Sequence, residues 1–186
     1  MIDRRLFGIL LGSLIARPAA AEGPAMSRPT AYAFSFKTLD GGTVRLVDHA
    51  GKPILVVNTA SLCGYTPQYA GLQELWTRYR ARGLLVLGVP SNDFGGQEPG
   101  GPDDIDRTAN GRYGVTFPLA AKVEVKGPSA HPFYQWAALE RPGESPRWNF
   151  HKYLVGRDGR IAAAFSTQTE PNDPRLIAVI ERELGN

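Results

Sequence analysis

Hydrophobic and polar positions fall into a few distinct patterns along the chain. Ile54-Leu55-Val56-Val57 and residues 84–89 are apolar runs rich in branched side chains. Such runs, bounded by turn-forming residues, predict buried strands. Between them Leu72, Leu75, Trp76 and Tyr79 recur at helical spacing. That spacing predicts a helix starting at Thr66-Pro67 and running to about Arg82, where Gly83 stops it. Strand, helix and strand in that order imply a parallel crossover. Residues 34–37 and 43–47 flank Leu39-Asp40-Gly41-Gly42, a hairpin signal. Residues 150–155 and 160–165 flank Gly156-Arg157-Asp158-Gly159 in the same way. A short helix is predicted from Pro102, with Asp103 and Asp104 in its first turn. Another opens at His131-Pro132, with Phe133, Trp136, Ala137 and Leu139 as packing residues. Residues 115–119 read as extended. Asp173-Pro174 starts the last helix, whose apolar face is Leu176, Ile177, Ile180 and Leu184.

This order predicts an α/β protein of thioredoxin-like fold, a central mixed β-sheet with helices on both faces and an N-terminal β-hairpin. The first buried strand runs into Asn58-Thr59-Ala60-Ser61-Leu62-Cys63-Gly64-Tyr65-Thr66-Pro67, which holds the single cysteine. Cys63 is thereby placed on a strand-to-helix turn. Unpaired N–H groups and the helix dipole there would favour a thiolate. The alternative is a small buried hydrophobe. The loop Pro90-Ser91-Asn92-Asp93-Phe94-Gly95-Gly96-Gln97-Glu98-Pro99-Gly100 follows the second strand. Parallel-sheet topology gathers it at the same carboxyl edge.

Length and charge narrow the function classes. The chain has 186 residues, enough for one domain with a real core, and a net charge of +3. Arg4, Arg5 and Arg17 against Asp3 supply most of that excess, so no nucleic-acid surface is inferred. One cysteine excludes an internal disulfide and a paired-cysteine redox centre. No His/Cys/Asp grouping has metal-ligand spacing, and no cofactor is expected. His49 and His131 read as loop and helix-start residues, His151 as a surface residue, and Glu98 as a solvated or loop-bracing acid. Residues 1–21 read as a signal peptide: Arg4-Arg5, an apolar run, then Ala19-Ala20-Ala21. The paired arginines are compatible with a twin-arginine signal. Export to the periplasm or outside the cell is expected. Residues 22–33 read as a flexible arm, and residues 34–186 as the folded domain.

Three blocks give the chain a resemblance to the glutathione peroxidase family. They are residues 58–66 around Cys63, Phe94-Gly95-Gly96-Gln97-Glu98-Pro99-Gly100, and Trp148-Asn149-Phe150; Tyr113-Gly114-Val115-Thr116-Phe117-Pro118 also matches. The resemblance implies a peroxidatic cysteine at Cys63, supported by Gln97, Trp148 and Asn149. It implies reduction of hydrogen peroxide and organic or lipid hydroperoxides through a Cys63 sulfenic acid. Gln97, Trp148 and Asn149 are neutral N–H donors, suited to charge that starts on sulfur and ends on the departing oxygen. Each also has a purely structural reading: a loop brace for Gln97, a core aromatic for Trp148, a turn residue for Asn149.

The chain departs from the family pattern where many members carry a resolving cysteine; here that position is Ala109. The reductant is therefore expected to be an external thiol, glutathione or a thioredoxin-like protein. The short link from Leu139 to Trp148 resembles that of monomeric members with an open face. A second function class also needs a sulfenic acid: a peroxide-sensing relay that passes oxidation to a partner protein. A thiol–disulfide exchanger is disfavoured, because Thr66 stands where its second cysteine would be.

Overall fold

The computed structural model describes residues 28–185; the expected leader lies outside them. A hairpin comes first, β1 (Ser35–Lys37) against β2 (Thr43–Arg45), with Phe36 opposite Val44. The main sheet holds β3 (Ile54–Thr59), β4 (Leu85–Pro90), β5 (Lys152–Val155) and β6 (Ile161–Phe165) in the order β4-β3-β5-β6. β4 runs parallel to β3, while β5 and β6 join antiparallel, so the sheet is mixed.

Both sheet faces are buried, which explains why β3 and β4 are buried at every position and carry apolar runs rather than alternating. Side chains of successive residues point to opposite faces. Ile54, Val56, Leu85 and Leu87 pack with Phe36, Leu46 and the helix α3 (Pro132–Glu140) through Phe133, Trp136 and Ala137. Leu55, Val57 and Val86 pack on the other face. There they meet α1 (Gln68–Tyr79) through Leu72, Leu75 and Tyr79, and a further helix, Pro174–Leu184, through Leu176 and Ile180. Cys63 belongs to this second cluster.

Several local readings differ from the structure. The first helix begins at Gln68, and residues 80–82 tighten into a 3-10 turn before Gly83 at φ 108°. The helix from Pro102, α2 (Pro102–Asp106), runs on into a π turn at Arg107–Arg112. Residues 115–119 form no strand; Leu119 makes an isolated bridge to Gly88, where a Cβ would lie 2.5 Å from the Leu119 side chain. Leu139 points outward at 80% exposure, because helical geometry turns it off the face on which Phe133 and Ala137 are buried. The described end of the expected arm is packed: Pro29 O accepts the Trp136 indole N–H at 2.9 Å, and Ala31 N–H donates to Gly159 O at 2.8 Å. The last helix, α4 (Pro174–Leu184), is capped as its sequence suggests, Asp173 accepting from Arg175 N–H at 2.8 Å.

Candidate active site

Beyond β3 the chain turns through residues 60–67, and Thr66 closes that turn. Its hydroxyl accepts the Cys63 N–H at 3.0 Å and lies 2.7 Å from Cys63 O and 2.9 Å from Ala60 O. Thr66 therefore binds the cysteine's own backbone instead of capping the helix. The amides of Gln68, Tyr69 and Ala70 donate to Tyr65, Thr66 and Pro67 carbonyls, so the helix end is not open to a ligand. The sulfur instead accepts from a turn amide, Tyr65 N–H, at 3.4 Å. Cys63 is buried and free.

A second loop reaches the cysteine turn from the end of β4. Gly95 and Gly96, at φ 67° and 63°, make a left-handed bend that side chains rarely allow. A Cβ on Gly95 would lie 3.3 Å from the Trp148 ring. The bend brings Gln97 O to the Leu62 N–H at 3.0 Å, one residue before Cys63. The next residue, Glu98, is buried and accepts from the Ser61 hydroxyl at 3.1 Å; burial pushes its carboxyl above the usual range. Glu98 thus braces the two loops and is not solvated.

The third segment is the turn before β5. Asn58, near the end of β3, donates from Nδ2 to Trp148 O at 3.0 Å and accepts Phe150 N–H at 2.6 Å. Asn149 is fully buried, and its Nδ2 donates to Gln97 Oε1 at 2.9 Å and to Phe94 O at 3.4 Å. Both donors of this amide thus have protein partners, and its contact is with Gln97. Gln97 Oε1 is the acceptor in that bond, which leaves its NH2 end as a donor. Trp148 is 38% exposed and lies tilted on Phe94, with ring centroids 6.0 Å apart. Three segments far apart in sequence therefore meet: the Cys63 turn touches the Gln97 loop through Leu62, and that loop touches Trp148 and Asn149.

The side chains of the remaining candidates take no part in these contacts. His151, expected at the surface, is 7% exposed and packs edge-on against Tyr153; burial pulls its pKa down to about 4. His131 stacks on Phe36 and caps α3. Among the described residues no cluster of His, Cys, Asp and Glu could hold a metal ion. Ala109 is fully buried in the same cluster as Cys63, inside the π turn. A cleft of about 520 Å³ opens beside Trp148, lined also by Arg147, His151 and Ser166. Thr66 was read as a helix cap and not as the brace of the cysteine turn, and Lys152 escaped the sequence reading; a lysine inside the run 150–155 was the available signal for it.

A mixed sheet with a lone cysteine at the turn after its first central strand defines a thiol protein of thioredoxin-like fold. The chain shares that fold with a thioredoxin-family thiol:disulfide interchange protein of Chlorobium tepidum, at TM-score 0.61 and 17% identity over 87% of this chain and all of that one. The family profile described as glutathione peroxidase matches residues 31–138. A hydroperoxy fatty acid reductase of Synechocystis sp. is 46% identical over 86% of this chain and 99% of its own. The crystal structure of Trgpx in apo form superposes at TM-score 0.66, with 35% identity over 83% of this chain and 97% of that one. The chain belongs to the glutathione peroxidase family, and it is a thiol-dependent peroxidase, an oxidoreductase acting on hydroperoxides.

Proposed function

We propose that Cys63 is the peroxidatic residue. Its thiolate attacks the terminal oxygen of a hydroperoxide, an S–O bond forms and the O–O bond breaks. The departing alkoxide takes a proton and leaves as an alcohol, and the sulfur remains as sulfenic acid. Gln97 NH2 and the Trp148 indole N–H are the donors to sulfur and leaving oxygen, each worth roughly 3 kcal/mol when such donors are removed elsewhere. Asn149 acts by holding Gln97 in the donating orientation. The observation that carries this reading is the Asn149–Gln97 bond beside the Cys63 turn.

The reductant is an external thiol, because the chain has one cysteine and Ala109 stands at the resolving position. A first thiol converts the sulfenic acid to a mixed disulfide and water. A second releases Cys63 as a thiol and leaves as a disulfide. A glutathione-like small thiol is the proposed reductant. Fatty acyl hydroperoxides are proposed substrates; the exposed apolar residues Leu62 and Trp148 and the Synechocystis relative's name support them. Export by residues 1–21 and a monomeric state complete the proposal.

Cys63→Ser tests the assignment, since a hydroxyl is far less ionised than a thiol at neutral pH. Peroxide reduction with glutathione should vanish while the fold persists; turnover by the purified variant would overturn it. N-terminal sequencing of the protein from its native cell envelope should begin near Glu22. An intact Met1 on a cytoplasmic protein would reject export.

A further inference from the structure

Gln68 opens α1 five residues beyond Cys63, and its side chain is buried. Its Nε2 donates to Thr167 O at 2.8 Å and to Glu170 Oε1 at 3.2 Å. Its Oε1 accepts from Lys152 Nζ at 2.7 Å. Lys152 Nζ also donates to Phe150 O at 2.7 Å, and the Thr167 hydroxyl donates to Asn149 O at 2.7 Å. A continuous polar network therefore runs from the helix behind the cysteine to the carbonyls of Asn149 and Phe150.

Two features of this network call for a cause. Lys152 is fully buried, and its hydrogen bonds go to an amide and a carbonyl; the carboxylate Glu170 reaches it through Gln68. Burial holds its ammonium well below the usual lysine range, at about 7. A buried cation is costly unless its surroundings compensate. Phe150 has φ 61° and is the non-glycine residue with positive φ among the described residues. For a bulky side chain that conformation is strained and persists only where neighbours impose it. The Lys152 ammonium on its carbonyl, and Asn58 O on its N–H, hold it from both sides.

We propose that Lys152 is a positioning residue. With Gln68 and Thr167 it holds the left-handed turn at Phe150, fixes Asn149 on Gln97, and sets that turn in register with the helix that follows Cys63. The proposal rests on the reading that Gln97 and Asn149 serve oxidation of Cys63. An unbranched apolar residue such as methionine at position 152 would fill most of the space but release the Phe150 carbonyl. The turn could then relax toward ordinary backbone, and Asn149 would swing off Gln97.

The test separates the two half-reactions by single-turnover kinetics. In Lys152→Met, oxidation of Cys63 by hydrogen peroxide should slow by about tenfold or more, while reduction of the sulfenic acid by glutathione changes by less than about twofold. A folded Lys152→Met that oxidises at the wild-type rate, or that loses both half-reactions equally, overturns the proposal. Should Lys152→Met fail to fold, Thr167→Val decides: it should slow oxidation alone, with Thr167→Ser restoring it, and a wild-type rate in Thr167→Val overturns the proposal. Gln97→Ala is run beside these. If it too oxidises at the wild-type rate, the reading of the donors has failed; if it is slow and Lys152→Met is not, only the role of Lys152 has failed.

Discussion

Asn149→Ala tests how the donors divide their work. The substitution removes a fully buried amide that holds Gln97 Oε1 at 2.9 Å and reaches Phe94 O at 3.4 Å. Its Oδ1 has no hydrogen-bond partner, so nothing is lost there. The stability cost is about 1–2 kcal/mol, the net value of one good and one long hydrogen bond. The kinetic cost is larger. With Gln97 free to rotate, an oriented donor becomes an averaged one, and a lost donor is worth roughly 3 kcal/mol, or about a hundredfold in rate. Because Asn149 acts through Gln97, the two residues should be strongly non-additive. Gln97→Ala should be at least as slow as Asn149→Ala, and the double variant no slower than Gln97→Ala. The assay is stopped-flow oxidation of the reduced protein by hydrogen peroxide, in all four members of the cycle. A double variant slowed by the product of the two single effects would refute the argument, since Asn149 would then be an independent donor.

Two further outcomes follow from buried groups. His151 is held neutral by burial, its folded pKa lying at about 4 against an unfolded value of 6.5. The unfolded chain binds the extra proton first, so stability is lost as pH falls through that window. The loss is about 2 kcal/mol near pH 5. His151→Phe should flatten the acid side of the Tm–pH curve, and an unchanged slope would show that other groups set it. Ala109→Cys places a second thiol in the buried cluster that holds Cys63, on a π turn that must unwind to bring the two together. Some thioredoxin-dependent turnover should appear; efficient thioredoxin turnover by the unaltered protein would remove the reason for expecting it.

Much of the fold was legible because β3 and β4 carry continuous apolar runs and the α1 face a helical period, which tertiary packing reinforced. The expected thioredoxin-like mixed sheet and the peroxidase family are both borne out. Local chemistry was less legible. Thr66-Pro67 has the composition of a helix start, yet the Thr66 hydroxyl is drawn to the Cys63 backbone because the turn is tighter than a simple cap. Leu139 is three residues from Trp136, but it lies off the face that Phe133 and Ala137 bury. Alternation along 149–151 would place Asn149 and His151 on one side of the chain, but the left-handed Phe150 between them breaks the pattern, and spacing could not say what covers each. The bond from Asn149 to Gln97 joins residues 52 positions apart, and sequence spacing carries no information about which way an amide points.

The central claim is that one sulfur carries the chemistry and has no thiol partner within its own chain. Mass spectrometry of the reduced protein after one equivalent of hydrogen peroxide tests it most directly. One added oxygen on Cys63 is expected, with a mixed disulfide when glutathione is present and further oxygens under excess peroxide. A peroxide-treated protein that still turns over hydroperoxide while Cys63 remains an unmodified thiol throughout would contradict it.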